Sequence, residues 1–390
     1  MISIKEALAR VKENTAKLDS VNVDLLDALG SVLSESIQSP INMPPFDQSA
    51  MDGYALGGEA LVYTVVTEIQ AGASVNGKSL YQGEAARIFT GAMIPEGTVS
   101  IAKQEIVKRD GDTITLLENV RKGTSIRKKG EELAINEIAI AKGTYLNPAA
   151  IGFLSGLGIQ TVNVYRKPKI AIIVTGNELT KPGEKLVPGR IYESNSATLT
   201  SVLKHAGFDS SLVTVKDDFN STKETIGNAI DQNDVVIITG GISVGNYDFV
   251  GKALAELQVE EVFYKVKQKP GKPLFYGKKE AKSIFALPGN PAAVLTCYYM
   301  YVRTAIRSLI GISTPMLEER EVSLLHDFTK KGDRAHLLKA DINKEGVQIH
   351  NGQSSAMLSS FVGANSLIYL SEEDREIKKG DKVLVYILPT

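Results

Sequence analysis

The chain has 390 residues, more than one typical hydrophobic core accommodates, so two to four domains are expected. Hydrophobic residues make up 43% and charged residues 23%, and the formal net charge of -1 leaves no basic surplus for nucleic-acid binding. The one cysteine, Cys297, excludes an internal disulfide and favours a reducing, cytoplasmic setting. No Cys/His spacing fits structural zinc, and no apolar run is long enough to span a membrane.

The first part of the chain carries two helix-like patterns and a proline-rich segment. Residues 3–18 have the period of an amphipathic helix, with Ser3 and Glu6 spaced as a capping box. Residues 22–38 are expected to form a second short helix with an extended exit. Residues 39–46 contain three prolines and predict an extended connection into new structure.

A small all-β unit is predicted over residues 44–133, where short alternating runs lie between glycine turns. A helix over 147–157 and a strand, QTVNVYR, follow this unit. The order indicates that the β unit is inserted into a linking and dimerisation domain made from residues 1–43 and 134–167.

Strands and helices alternate from residue 168 to residue 312, which predicts a layered α/β domain with a mostly parallel sheet. Functional groups in such a domain lie at the carboxyl ends of the strands. Residues 313–390 return to alternating β patterns, which predicts a small β-barrel-like domain at the C-terminal end. The predicted fold class is therefore multidomain α/β plus β.

The segment DVVIITGGISVGNYDF, residues 234–249, has the strongest functional pattern in the α/β domain. Its apolar, β-branched run is typical of a strand covered on both faces, and Gly240, Gly241 and Gly245 allow the backbone to approach an anion closely. Ser243 and Asp248 add a hydroxyl and a carboxylate. The segment predicts an anion cradle with a metal-binding acid, although glycine-rich turns after strands are also common without any ligand.

Acidic residues follow three predicted strands of the same sheet. Glu178 follows IAIIVTGN, Asp217 and Asp218 end VTVKDD, and Asp248 follows TGGISVGNY. If these carboxylates converge in one crevice, a divalent cation would neutralise their repulsion. The alternative is that each acid only caps a helix or lies in a solvated loop.

Two proline-stiffened turns follow downstream. KPGKP holds Lys269 and Lys272 at a fixed spacing that suits a phosphate or oxyanion, although lysines in turns are often only solvated. LPGNP provides Asn290 as a helix N-cap and Pro291 at the first helical position, so the following N–H groups are expected to be free for an anion. A plain strand–helix connection is the alternative for this second turn.

The inserted unit carries three weaker motifs: FDQSAMDGYAL with Asp52, ARIFTGAMIPEG with Thr90, and SIRKKGEEL with Arg127. No Ser/His/Asp or Cys/His arrangement for nucleophilic catalysis is present. The chemistry is therefore expected to depend on positioning and charge neutralisation.

Together these motifs resemble the molybdopterin molybdenumtransferase family, the MoeA type that includes the gephyrin E domain. The resemblance extends in order over almost the whole chain. Its motifs are PPFDQSAMDGYAL, ARIFTGAMIPEG, IRKKGEE, IVTGNEL, IYESNS, VKDD, ITGGISVGNYDF, KPGKPLFYG, LPGNPAA and, more loosely, SSAMLSSF. The GGISVG loop lacks the GGTG form of the related adenylylating enzymes, which favours the metal-insertion step.

The resemblance implies a homodimer of four-domain subunits that converts adenylylated molybdopterin and molybdate, with Mg²⁺, into molybdenum cofactor and AMP. Molybdopterin adenylyltransferase and molybdoenzyme-maturation proteins are the implied partners, with no nucleic acid or membrane. The alternatives are a non-catalytic scaffold on the same fold and a homologue that inserts tungstate.

The resemblance also implies roles for individual residues. Asp52 and Thr90 would reach the site from the inserted domain of the dimer partner, whereas Glu178, Asp218 and Asp248 would serve Mg²⁺ and the nucleotide phosphates. Lys269 and Lys272 complete the catalytic set. The implied substrate-binding residues are Thr175, Gly240, Gly241, Ser243, Gly245, Pro288, Gly289, Asn290, Pro291, Arg127 and Ser355.

The sequence departs from the family pattern in three segments, at four positions. Asn177 stands where the family often has an aspartate, and Glu132 stands where an aspartate is frequent after the basic run. Ala-Ala follows Pro291 in place of the common Val-Ser. If the acid that the family often has at position 177 takes part in the reaction, Glu178 must fill more of its role in this chain.

Overall fold

The computed structural model describes residues 1–75, 77–215, 218–242 and 249–389. The chain begins with α1 (Ile4–Glu13), which starts where predicted: the Ser3 hydroxyl accepts a hydrogen bond from the Glu6 N–H at 3.1 Å. The helix ends five residues earlier than its sequence pattern suggests. Its apolar side chains, Ile4 and Val11 among them, are buried in the core of the α/β domain.

The prediction of a helix over residues 22–38 is wrong. This stretch contains the end of β1 (Ser20–Asp24), a series of turns over residues 25–30, and β2 (Ile37–Gln38). Val21 and Val23 alternate with exposed polar residues, the period of two that suits a strand. β1 pairs in antiparallel register with residues 161–165, so a distant strand decides its conformation.

The inserted unit is a β structure, as predicted, with one short 3₁₀ helix at Gln104–Ile106. Six of its strands form one sheet in the order β7-β4-β6-β5-β9-β8, with an apolar cluster on each face. Its strands are β3 (Gln48–Ser49), β4 (Gly53–Gly57), β5 (Val62–Ile69), β6 (Glu84–Ile88), β7 (Thr98–Lys103), β8 (Val107–Asp110), β9 (Thr113–Leu116) and β10 (Ile126–Arg127).

The chain then returns to its first domain with β11 (Ile138–Ile140), α2 (Pro148–Gly156) and β12 (Thr161–Tyr165). β11 pairs with β2 and β12 pairs with β1, so the segments on either side of the inserted sheet pair with each other. The boundaries proposed for the four domains stay a prediction.

The α/β domain is built on a six-stranded sheet in the order β16-β13-β17-β21-β20-β18. The first four strands of this order pair in parallel, and β20, which the sequence pattern did not predict, runs antiparallel to both neighbours. The elements are β13 (Ile170–Thr175), β14 (Leu179–Thr180), β15 (Ile191–Tyr192), α3 (Asn195–His205), β16 (Ser211–Val215), α4 (Phe219–Gln232), β17 (Val235–Thr239), α5 (Phe249–Glu256), β18 (Glu260–Tyr264), β19 (Gln268–Lys269), β20 (Phe275–Lys279) and β21 (Lys282–Leu287).

Helices cover both faces of this sheet. The α4 and α5 side chains pack with one set of alternate strand residues, and α1 and α3 pack with the other set. A long helical segment also lies on the second face: α6 (Pro291–Cys297) continues through a π-helical stretch (Tyr298–Val302) into α7 (Arg303–Leu309).

The C-terminal domain contains a third six-stranded sheet in the order β19-β24-β26-β28-β22, with β25 paired to β24. Because β19 belongs to the KPGKP turn, this turn is joined directly to the C-terminal sheet. The remaining elements are β22 (Glu319–Ser323), β23 (Phe328–Thr329), β24 (Ala335–Ile342), β25 (Val347–Ile349), a 3₁₀ helix (Leu358–Phe361), β26 (Ser366–Leu370), β27 (Glu376–Ile377) and β28 (Lys382–Ile387). Barrel-like closure of this domain stays a prediction.

None of the helices within the described ranges has both the length and the apolar character that crossing a membrane requires.

One ion pair ties the end of the first domain to the start of the central sheet. Arg166 donates to both carboxylate oxygens of Asp234, at 2.7 and 2.8 Å, and Asp234 also accepts from the Lys169 N–H at 2.8 Å. Burial acts to raise the pKa of Asp234, but the hydrogen bonds from Arg166 and Lys169 outweigh it and the pKa is lowered.

We expect Asp234→Asn to lower the free energy of unfolding by about 1.5–3 kcal/mol, because a half-buried arginine loses its charged acceptor. Urea denaturation at neutral pH measures this change. Glu318→Gln is the matched control, since it breaks an exposed pair with Arg320 and should have little effect. Equal effects of the two substitutions would contradict the assigned role of Asp234.

Candidate active site

The candidate site lies at the carboxyl ends of β13, β17 and β21, which are adjacent and parallel. The loops after these strands begin with TGNEL, TGG and LPGNP, so the sheet brings together three motifs that are far apart in sequence. Parallel strands direct their following loops to one edge, which explains why these motifs meet there.

Close packing against Thr175 accounts for the paired glycines after β17. A Cβ atom on Gly240 would lie 2.4 Å from the Thr175 carbonyl oxygen, and one on Gly241 would lie 2.9 Å from the Thr175 hydroxyl. Both glycines also have positive φ angles, of 89° and 63°. The glycines therefore let two loops of the site touch through their backbones.

One cavity of about 350 Å³ lies between the TGNEL loop, the start of α3 and the LPGNP loop. We call it the carboxylate cavity because the exposed Glu178 lines it together with Glu193. Glu193 is already bonded to Ser196, whose N–H donates at 2.8 Å. Within the described ranges Glu178 has no such partner, so its carboxylate is available to a ligand.

Two buried oxygen atoms of the carboxylate cavity have no hydrogen-bond partner among the described residues: the Thr175 hydroxyl and the Asn195 side-chain carbonyl. The amide nitrogen of Asn195 donates to Thr239 at 2.9 Å and to the Gly289 carbonyl at 2.8 Å, which fixes the orientation of its oxygen. Buried polar atoms without partners are rare in folded proteins, so these two oxygens are available to a water, an ion or a ligand.

A second cavity, of about 680 Å³, lies on the other side of the LPGNP loop. We call it the basic cavity, because the exposed Lys269 and Lys272 line it. Pro288, Asn290 and Ser355 also line it. Asn290 borders both cavities, so the LPGNP loop forms the wall between them.

Three residues of the basic cavity were not predicted from the sequence: Arg334, Gln353 and Ser354. β19 pairs with β24, which places Lys269 opposite His336 and so brings Arg334 beside the KPGKP turn. Arg334 donates to the Gln268 carbonyl at 3.2 Å. The basic residues before β24 were a weak indication that Arg334 lies at an anion site. Its position close to Lys269 depends on the pairing of β19 with β24.

The positive charge of the basic cavity acts on the buried His336. Burial lowers the pKa of His336 to about 4, and the nearby charges of Lys269, Lys330 and Arg334 add to the effect. Histidine is therefore neutral at physiological pH in this position. The clustering of basic groups makes the cavity suited to an anion.

The expectation of free N–H groups at the start of α6 is wrong. The Ser355 carbonyl accepts hydrogen bonds from the N–H groups of Ala292 and Ala293, at 3.0 and 3.3 Å. Asn290 begins the helix without a side-chain capping bond, and its amide donates to the Ser355 hydroxyl at 2.8 Å. A loop of the C-terminal domain thus occupies the anion site that the sequence predicted.

A buried lysine holds this loop in place. Lys339, on β24, is 1% exposed, and its ammonium group donates to the carbonyls of Gly352, Ser354 and Met357 at 2.9, 3.3 and 3.3 Å. Burial lowers the pKa of Lys339 to about 8. The position of Ser355 between the two cavities is therefore fixed from both sides.

The inserted domain does not contribute to either cavity within one chain. Asp52 accepts hydrogen bonds from the N–H and the hydroxyl of Thr90, both at 2.8 Å, and neither residue lines the cavities. The Thr90 backbone bond is the main reason why the pKa of Asp52 is lowered. Arg127 lies elsewhere on this domain and donates to Glu131 and Glu132 at 2.8 and 3.3 Å.

The predicted metal ligands other than Glu178 do not line the described cavities or lie outside the described residues. Asp218 caps α4 by accepting from the Ser221 N–H at 2.9 Å, and it lines neither cavity. Asp217, Ser243, Gly245 and Asp248 lie outside the described residues. Within the described ranges, no group of three His, Cys, Asp or Glu side chains is arranged to hold a metal.

The donor set of the carboxylate cavity nevertheless suits Mg²⁺. Glu178 and the two oxygens without partners, on Thr175 and Asn195, are the hard oxygen ligands that this ion prefers. Protein sites commonly hold Mg²⁺ through one or two carboxylates and the phosphates of a substrate. The small number of protein ligands in the carboxylate cavity is therefore compatible with Mg²⁺.

The parallel sheet, its glycine-rich strand-end loops and the adjoining cavities define an α/β protein with a ligand site at the carboxyl ends of its strands. Three family models match consecutive parts of the chain: "MoeA N-terminal region (domain I and II)" over residues 2–158, "Probable molybdopterin binding domain" over 171–308, and "MoeA C-terminal region (domain IV)" over 321–388. The chain belongs to the MoeA family of molybdopterin molybdenumtransferases, enzymes of molybdenum cofactor biosynthesis.

Similar proteins cover nearly the whole chain. The molybdopterin molybdenumtransferase of Staphylococcus epidermidis (strain ATCC 35984) is 30% identical over 400 residues, which span 99% of this chain and 95% of that protein. The enzyme of the same name from Staphylococcus aureus (strain Mu50) is 30% identical over 98% of this chain and 94% of that protein. The molybdopterin biosynthesis MoeA protein of Pyrococcus horikoshii OT3 has a solved structure with a TM-score of 0.85, at 29% identity, covering 99% of this chain and 100% of that one.

The burial of His336 predicts an acid-dependent loss of stability. Because its pKa is lowered from 6.5 to about 4, the unfolded chain binds more protons between these values, and stability falls as pH decreases through this window. The loss amounts to about 3 kcal/mol at most. Urea denaturation at pH 7 and pH 4.5 should show that His336→Asn removes this part of the pH dependence, whereas His326→Asn retains it. An unchanged pH dependence in His336→Asn would contradict the environment described here.

The KPGKP turn should not tolerate a side chain at Gly271. This residue has a φ of 87°, and a Cβ atom there would lie 2.5 Å from the buried Cys297 sulfur. Gly332 has a similar φ of 91° with open space around it, so it is a matched control. We expect Gly332→Ala to lose about 1–2 kcal/mol and Gly271→Ala to lose a further 1–3 kcal/mol or so. Denaturation curves that coincide for the two variants would contradict the packing of this turn.

Proposed function

We propose that the protein inserts molybdate into adenylylated molybdopterin with the help of Mg²⁺, releasing AMP and molybdenum cofactor. The observation that carries the proposal is the pair of cavities separated by the LPGNP loop. One cavity is lined by cationic groups and the other by a carboxylate and two oxygens without partners. A reaction between an oxyanion and a phosphate-linked pterin needs both kinds of environment side by side.

The basic cavity suits molybdate. Molybdate is a tetrahedral dianion, and its binding requires cations and rigid donors that face one point. Lys269, Lys272 and Arg334 supply the charge, and the Ser355 hydroxyl and the Asn290 amide supply polar groups at the wall between the cavities. The stiff turn around Gly271 keeps the two lysines at a fixed spacing.

The carboxylate cavity suits the phosphates of the adenylylated substrate. Glu178, Thr175 and Asn195 would hold Mg²⁺ there, and the bound ion would neutralise phosphate charge as the phosphoanhydride breaks. Asp218 and Asp248 are proposed to assist at the same end. Gly240 and Gly289 line this cavity and allow the backbone to lie close to the phosphates. Cleavage of this kind depends on positioning and charge neutralisation, and it needs no covalent nucleophile.

We also propose that the working enzyme is a homodimer in the cytoplasm. Asp52 and Thr90 form an exposed, hydrogen-bonded pair that lines neither cavity of its own chain, so a second subunit would have to bring them to the site. Size-exclusion chromatography with light scattering measures the subunit number directly. The proposed partners are molybdopterin adenylyltransferase, which would supply the substrate, and the maturation proteins of molybdoenzymes.

Incubation of the full chain with adenylylated molybdopterin, Mg²⁺ and molybdate should release AMP. Lys272→Gln should reduce this release by at least about tenfold and raise the molybdate concentration needed for half-maximal rate, because a cation facing the oxyanion is lost. Lys344→Gln, an exposed lysine that lines neither cavity, is the matched control.

The same assay tests the alternatives. A protein that binds the adenylylated pterin without ever releasing AMP would be a scaffold, and that result would contradict the proposed reaction. If tungstate supports AMP release in competition with molybdate at a lower concentration, the oxyanion assignment would change while the reaction class would stand.

A further inference from the structure

A third cavity, separate from the candidate active site, lies where the first domain meets the α/β domain. It has a volume of about 250 Å³, and an adjoining cavity of about 240 Å³ shares Gly30, Tyr145, His205 and Phe208 with it. We call the pair the junction cavity. Tyr145 comes from the first domain, His205 from the end of α3, and Arg303 and Arg307 from α7, while Pro389 borders it from the C-terminal segment.

The junction cavity is basic and contains no compensating acid. Arg303, Arg307 and His205 line its larger part and Lys167 lines the adjoining part, whereas no Asp or Glu of the described ranges lines either. Buried or half-buried arginines in proteins are normally paired with carboxylates. This arrangement therefore leaves positive charge that a ligand can neutralise.

The two guanidinium groups meet only neutral acceptors within the described part of the chain. Arg303 donates to the Pro315 carbonyl at 3.2 Å, and Arg307 donates to the Thr314 carbonyl at 3.5 Å. The Nε of Arg307 is buried and has no hydrogen-bond partner among the described residues. Each guanidinium has five N–H donors, so most of their donors are available to an anion.

The two arginines are also partly removed from solvent, which destabilises their charged forms. Burial, together with the neighbouring charge of Arg307, lowers the pKa of Arg303 to about 10. Burial also lowers the pKa of Arg307. Both groups are still protonated at neutral pH, so they are poorly solvated charges close to each other, and a bound anion would relieve this repulsion.

Apolar and aromatic surface completes the cavity. Tyr298 and Phe208 are buried, and the rings of Tyr298 and Tyr299 lie edge to face at 5.6 Å. Ile306 and Ile310 of the same helical segment add aliphatic surface. A mainly apolar lining with a few convergent polar groups is typical of small-molecule sites, and the larger part of the junction cavity, at about 250 Å³, is below the ~300 Å³ at which drug-sized pockets begin.

We propose that the junction cavity binds a small organic anion, consisting of one ring and one phosphate or carboxylate group, and that this ligand joins the first domain to the α/β domain. Arg303 and Arg307 bind the anionic group, and the tyrosine and phenylalanine rings contact the organic part. The site is distinct from the candidate active site: the helical segment that begins at the LPGNP loop reaches Arg303 only after 13 residues, roughly 20 Å at 1.5 Å per residue.

Phenyl phosphate is a suitable probe because it carries both features, and titration calorimetry on the full chain measures its binding. We expect one saturable site, with inorganic phosphate and phenol each binding at least tenfold more weakly than phenyl phosphate. Arg307→Gln should weaken phenyl phosphate binding at least tenfold, and Arg307→Lys should weaken it less. Lys204→Gln, an exposed lysine beside His205, is the matched control and should bind normally.

Two further readouts separate a binding role from a structural one. Without ligand, Arg307→Gln should unfold at the same or a higher temperature than the parent protein, since it removes an unpaired charge. With phenyl phosphate, hydrogen exchange should slow over residues 202–208 and 303–312 and should not change over residues 269–273.

Binding that survives in Arg307→Gln, or that is lost in Lys272→Gln with protection over residues 269–273, would overturn the proposal. Inorganic phosphate binding as tightly as phenyl phosphate would also overturn it.

Discussion

The pairing of the two-residue strand β19 with β24 is the constraint on which the candidate site depends. It joins the KPGKP turn of the α/β domain to the edge of the C-terminal sheet and places Lys269 opposite His336. Without this pairing, Arg334 and the loop that carries Ser355 would not face the lysines. The basic cavity is therefore a property of two domains together, and neither domain could form it alone.

The second element of the site is the contact between Ser355 and the start of α6. The Ser355 carbonyl satisfies two helix N–H groups, and its hydroxyl accepts from Asn290. Lys339 secures the same loop from the side of the C-terminal domain by three hydrogen bonds to carbonyls. Burying this ammonium group without a carboxylate is unfavourable, and the three carbonyls offset part of that penalty. The wall between the two cavities is thus rigid, as selective placement of two reactants requires.

The parts of the structure that could be predicted from the sequence are those that depend on patterns within short stretches of the chain. Alternating strands and helices predicted the α/β domain, and glycine and proline spacing predicted the loops that contain Gly240, Lys269 and Asn290. The missing parts depend on contacts between distant segments. Residues 22–38 contain good helix formers. The first of them belong to β1, however, and β1 is extended because it pairs with β12, some 140 residues later in the chain. Likewise, the sequence around α6 does not indicate that the Ser355 carbonyl accepts hydrogen bonds from the first N–H groups of this helix. The sequence around Arg334 does not indicate that this residue lies close to Lys269.

The location of the oxyanion site can be tested without any assay of turnover. Crystals of the full chain soaked in molybdate, measured at the molybdenum absorption edge, reveal the position of the metal through its anomalous scattering. We expect a molybdenum peak in the basic cavity, among Lys269, Lys272 and Ser355. A peak that occurs only in the carboxylate cavity or the junction cavity would contradict it.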